Sequence, residues 1–133
     1  EFEFTFETVM KAQTKAGEDE AGIVIRSSDE YHLSMFCTVR DGKQVIVLRK
    51  KASDLETESV YELSEEQLNG WMTFKVEGTK EKYTFYCNEK QIGWSYTKHL
   101  TIQTAGTPNT GVMLGIFAAG EAEAEISRFE YQV

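Results

Sequence analysis

In the opening stretch EFEFTFETVMKA, the even positions Phe2, Phe4, Phe6, Thr8, Met10 and Ala12 alternate with the mostly polar Glu1, Glu3, Thr5, Glu7, Lys11 and Gln13. A two-residue period predicts a strand with one face in a core and the other in water. A polar loop containing Gly17 follows, and then the apolar run AGIVIR, from Ala21 to Arg26. Past Glu30, Tyr31, Leu33, Met35, Cys37 and Val39 point one way, which sends His32, Ser34 and Phe36 the other. Asp41-Gly42 then stands before KQVIVLRK and predicts a two-residue hairpin turn. A second hairpin joins WMTFKVEG to EKYTFYC around Gly78, and Asn88 to Lys90 makes another turn. The one helical signal is SEEQLNG, where Ser64 could cap a single turn.

The glycine-rich stretch NTGVMLGIFAAG, Asn109 to Gly120, admits three readings. A phosphate cradle needs a spaced glycine loop opening a helix, and no helical pattern follows Gly120. A membrane-spanning helix needs about 20 apolar residues, far more than Val112 to Ala119 provides. A short apolar run between turn residues instead predicts a strand covered on both faces. On that reading Met113, Leu114, Ile116 and Phe117 are buried, and a neighbour approaches closely at Gly115. Strand-length runs separated by turns, with Pro108 confined to a loop, predict an all-β antiparallel sandwich or barrel.

At 133 residues and 41% apolar content, the chain suits one domain with a single core. Its net charge of −8 disfavours nucleic acid and anionic membrane as partners, because both require basic patches. Cys37 and Cys87 both fall on inward-facing strand positions, where a thiol packs as a small hydrophobe. A disulfide between them would require neighbouring strands. No signal peptide or transmembrane stretch is evident, and the default placement is cytoplasmic. Glu1 opens in mid-pattern, so the chain reads as a piece of something longer and a leader peptide is not assessable.

AGIVIRSSDEYHLSMF, YTFYCNEKQIGW and NTGVMLGIFAAG, closing on ISRFEYQV, occur in this order with these gaps. Together they resemble the C-terminal concanavalin A-like domain of glycoside hydrolase family 43 β-xylosidases. The resemblance rests on Ala21-Gly22-Ile23, Tyr31, Phe85-Tyr86, Trp94, Thr110-Gly111 and Phe129-Glu130-Tyr131. It implies a jelly-roll-like sandwich over residues 1–133, with further strands before Glu1 and a catalytic propeller elsewhere in a parent glycosidase. It further implies a noncatalytic accessory role, packing on that propeller and aiding pocket shape or a homo-oligomer. A sandwich loop in this family helps shape the catalytic pocket, which singles out Pro108 and Asn109. Asn109 stands where an aromatic often precedes the Thr-Gly. The alternatives are a free-standing carbohydrate-binding module and a family 16-like glycan hydrolase.

The weak catalytic candidates are Glu121, Glu123 and Glu125 of EAEAE, which would share one face of a strand. Neighbours about 7 Å apart would permit inverting hydrolysis, which uses carboxyls about 6.5–9.5 Å apart. Ala122 and Ala124 between them, with no aromatic platform nearby, favour a plain solvated strand face. No Ser or Cys is tied to a His for nucleophilic catalysis. His32 and His99 are isolated and lack ligand spacing, so no metal site and no cofactor is assigned. Calcium is carried as an unassigned candidate, since related domains often have an Asp where this chain has Ser127.

Sugar contact requires exposed aromatic faces beside polar groups. Strand parity offers Phe36 with His32 and Ser34, and Tyr86 with Thr84 and Asn88, while Trp71 alternates opposite to Met72, Phe74 and Val76. Trp94 reads as a core or rim residue. Any affinity for xylo- or arabino-oligosaccharides is expected to be no tighter than about millimolar.

Overall fold

The alternating stretches form strands in the computed structural model, which describes residues 4–28, 30–62, 70–97 and 113–133. The order is β1 (Phe4–Gln13), β2 (Glu20–Ser28), β3 (Tyr31–Arg40), β4 (Lys43–Ala52), β5 (Leu55–Tyr61), β6 (Met72–Gly78), β7 (Lys82–Cys87), β8 (Lys90–Tyr96), β9 (Met113–Ala119) and β10 (Glu123–Gln132). They build two five-stranded antiparallel sheets, β10-β1-β6-β7-β8 and β5-β4-β3-β2-β9. The result is the expected concanavalin A-like sandwich. Phe2, Ser64, His99, Pro108, Asn109, Thr110 and Gly111 lie outside the described residues.

The period-two pattern places one apolar set from each sheet in a shared core. Phe6, Met10, Met72, Phe74, Val76 and Phe85 from the first sheet meet Ile23, Ile25, Leu33, Met35, Ile46 and Leu48 from the second. Asp41 and Gly42 both take positive φ, 53° and 76°, as the expected two-residue turn between right-twisted strands requires. Asn88 and Glu89 repeat that geometry between β7 and β8, at 50° and 70°.

Cys37 on β3 and Cys87 on β7 belong to opposite sheets, and both are buried free thiols. Burial pushes Cys37 up to about 11 and Cys87 up to about 12, so neither forms thiolate at neutral pH. The Cys37 thiol donates to the Ala21 carbonyl at 3.4 Å.

β9 corrects the expectation of a strand covered on both faces. Among the described residues it pairs only with β2, at the rim of its sheet. Leu114 and Ile116 pack on the core from one face and Phe117 on the other, but each is only partly buried. Met113 is 63% exposed. An edge strand lacks the second neighbour that completes coverage. Among the described residues, a Cβ on Gly115 would meet only Val24 Cγ1 at 3.7 Å, an ordinary contact and not the expected close approach.

Asp19 ties the β1–β2 loop to the turn before β10. Its Oδ2 accepts from the Lys15 and Ala16 amides at 2.8 and 3.1 Å, and its Oδ1 from the Glu121 amide at 2.9 Å. The Glu121 amide foremost, then that of Lys15, holds the Asp19 carboxyl below its ordinary pKa. A lowered folded pKa adds stability above the unfolded value of about 3.9, lost as pH falls through the folded pKa. Asp19→Asn should therefore lower the urea midpoint at pH 7, and the gap to the parent should close towards about pH 2. A gap of equal size at both pH values would show that the charge contributes nothing.

Candidate functional site

The outer face of the second sheet is ordered in rows by the strand register. One row carries Phe117, Gly22, Phe36, Val47 and Val60. The next carries Gly115, Val24, Ser34, Arg49 and Glu58, and the third Met113, Arg26, His32, Lys51 and Glu56. His32, Ser34 and Phe36 thus share the outward face, as parity predicted.

Phe36 nevertheless has no exposed surface, which corrects its assignment as a sugar platform. The Phe117 ring meets it edge-on at 5.8 Å across Gly22, and Val45 and Val47 pack beside it. The Arg49 guanidinium lies 4.5 Å above its centroid. That guanidinium is clamped on both sides. Nη1 and Nη2 donate to the two Glu20 carboxylate oxygens at 2.9 and 2.6 Å, while Nε and Nη2 donate to Glu58 Oε2 at 3.0 and 2.7 Å. Burial acts to raise the Glu58 pKa, but Arg49 and Arg40 outweigh it and the net shift is downward. The Arg49 pKa is raised, first by its hydrogen bonds to Glu20.

Sequence reasoning passed over Arg49, Glu20, Glu58 and Phe117. Counting outwards from the Asp41-Gly42 turn places Arg49 opposite Ser34 and Lys51 opposite His32, so part of the cluster was within reach. Beside it lies a pocket of about 220 Å³, lined by Val24, Arg26, His32, Ser34, Arg49 and Phe117.

The remaining candidates sit on the opposite outer face, so the sugar-contact set divides between two sites. Tyr86 faces out, but Lys75 Nζ stands 4.6 Å from its ring centroid, and its hydroxyl is engaged by Glu77, the main cause of its raised pKa. Asn88 is a turn residue whose Oδ1 accepts from the Thr73 amide at 2.9 Å. Trp71 faces out, half exposed. Trp94 is a rim residue, edge-on to Tyr96 at 4.9 Å. A larger cleft of about 730 Å³ opens between β8 and the β4–β5 edge, where Lys50 donates to the Trp94 carbonyl.

Glu123 and Glu125 project from β10 beside Gln13 and Lys11, all four lining a pocket of about 450 Å³ that holds no aromatic side chain among the described residues. Ala124 pairs with Ala12 on the other face, and Ala122 packs against the core. Glu121 contributes its amide to Asp19. Among the described residues, no three His, Cys, Asp or Glu side chains converge to hold a metal ion. No described helix is long and apolar enough to cross a membrane.

The model of the beta xylosidase C-terminal concanavalin A-like domain of family 43 matches residues 1–132. The chain belongs to this family. A curated relative, the non-reducing end alpha-L-arabinofuranosidase BoGH43B of Bacteroides ovatus, is 26% identical over 121 residues, 88% of this chain but 22% of the relative. The solved Bacteroides ovatus xyloglucan PUL GH43B structure superposes with a TM-score of 0.84 at 25% identity, over 99% of this chain and 27% of that one. A xylan beta-1,4-xylosidase from Bacillus halodurans C-125 shares the fold, with a TM-score of 0.78 at 21% identity over 100% of this chain and 28% of that one. The family 43 domain here thus spans only about a quarter of each of these relatives.

Proposed function

We propose that this domain is the noncatalytic accessory sandwich of a family 43 glycosidase of the β-xylosidase or arabinofuranosidase type. In this reading the parent acts on hemicellulose, and the domain packs on its catalytic propeller, supports the pocket wall and aids oligomer assembly. The match of a C-terminal domain family to residues 1–132 is the observation that carries it. An apolar edge supports the packing role. Ile126, Phe129 and Tyr131 on β10, at the rim of the first sheet, are all more than 40% exposed. Exposed apolar side chains along one edge strand favour burial against another surface.

Turnover of aryl β-xylosides, aryl α-arabinofuranosides and mixed-linkage glucan tests the noncatalytic assignment. The 133-residue chain is expected to hydrolyse none of them. Activity abolished by Glu121→Gln, Glu123→Gln or Glu125→Gln would sink this reading and establish an autonomous hydrolase.

A further inference from the structure

Two buried polar atoms on the outer face of the second sheet, Ser34 Oγ and His32 Nδ1, have no hydrogen-bond partner among the described residues. Ser34 is only 2% exposed. It stands between Val24, which offers nothing polar, and Arg49, whose Nε, Nη1 and Nη2 are engaged by Glu20 and Glu58. Native proteins rarely leave such groups unpaired, and each one calls for an explanation. Both residues line the same pocket of about 220 Å³.

We propose that this pocket binds one ring of a neutral sugar, with Ser34 and His32 hydrogen-bonding adjacent ring hydroxyls against the side of Phe117 and Val24. Size supports a single ring. The volume is several times the share of one water, about 30 Å³, and falls below the roughly 300 Å³ where drug-sized pockets begin. Polarity supports hydroxyl groups, each able to donate and to accept, opposite a serine hydroxyl and an imidazole nitrogen. Burial, then Arg49, Lys51 and Arg26, lower the His32 pKa against the opposing pull of Glu56, which favours the neutral imidazole.

Charge disfavours an anion. The cations around the pocket, Arg26, Arg49 and Lys51, are matched in the same rows and their flank by Glu20, Glu56 and Glu58, and Arg49 is held by two of these acids. The apolar wall disfavours a cluster of water alone. Phe117 lines the pocket and is partly exposed, so a ring can place its C–H face there. This assignment stands independently of the parent enzyme and of any catalytic role.

Titration of the isotope-labelled chain with D-xylose, L-arabinose, D-galactose and xylotriose, followed by amide and histidine side-chain NMR, tests it. At least one sugar should shift His32, Ser34, Val24 and Phe117 saturably, with a Kd in the millimolar range. Ser34→Ala should weaken that binding about fivefold, the effect of one lost hydrogen bond. Its melting temperature should hold or rise, because an unpaired buried hydroxyl is removed. Phe117→Leu should weaken binding as well, whereas Trp94→Ala on the opposite sheet should leave it unchanged. Shifts confined to the Trp71 and Trp94 face would overturn the proposal. So would no saturable shift up to about 100 mM sugar, or sodium sulfate filling the pocket more tightly than any sugar.

Discussion

Replacing Gly22 with alanine is expected to lower the melting temperature by about 10 °C or more, from a stability loss of about 3 kcal/mol. A Cβ there would stand 2.0 Å from the Met35 carbonyl oxygen, 2.5 Å from Phe36 Cα and 2.8 Å from Phe36 Cβ. None of these atoms can swing aside by rotating a side chain. The clash must instead part β2 from β3, at the centre of a five-stranded sheet. It also displaces the Phe36 and Phe117 rings, which meet across this glycine. Overpacking usually costs about 1–3 kcal/mol, and backbone contacts this short belong at the top of that range. Gly115→Ala, on the neighbouring β9, is the control. Among the described residues its Cβ meets only Val24 Cγ1 at 3.7 Å, so it should stay within about 0.5 kcal/mol of the parent. Equal midpoints for the two variants in chemical denaturation would refute the distinction.

The contrast between these two glycines shows where sequence reading succeeds and stops. Parity assigned the faces of β1, β3, β6 and β7, because a half-buried strand repeats every two residues whatever it pairs with. The Asp41-Gly42 hairpin followed from turn chemistry, and the family from motif order across the chain. Which strands neighbour each other depends on pairings between distant segments, and local pattern carries no record of them. Gly115 was therefore expected to be crowded, although the crowding falls on Gly22. β5 went unread because its residues Glu56, Thr57, Glu58 and Ser59 show no apolar alternation, as suits a charged edge strand. Phe36 looked like an exposed platform for the same reason. Its cover comes from Phe117, some eighty residues later, and from Arg49, and only the sheet order brings these together.

Arg49→Met should cost on the order of 2–3 kcal/mol at pH 7. Methionine keeps an apolar stem over Phe36 but removes the cation between Glu20 and Glu58. Breaking a fully buried pair costs about 3–5 kcal/mol. The side chains here retain 14–28% exposure, so water compensates part of the loss. The cost should depend on pH in a defined sense. Glu58 has a lowered pKa in the folded chain, so its contribution is full above the unfolded value of about 4.3 and is lost as pH falls through the folded one. In Arg49→Met the part supplied by Arg49 is absent while Arg40 still pairs with Glu58 at 3.2 Å, so the two stability curves should draw together below about pH 4. Combining Arg49→Met with Glu20→Gln and Glu58→Gln removes both carboxylates that Arg49 held, and leaves only the part-exposed Arg40 without its Glu58 partner. The triple variant should recover most of the loss at pH 7, since replacing a whole ion network costs far less than breaking one. Urea midpoints at pH 7 and near pH 3 decide the matter. If the triple variant is no more stable than Arg49→Met, the loss comes from uncovering Phe36, and the ion network does not hold this face together.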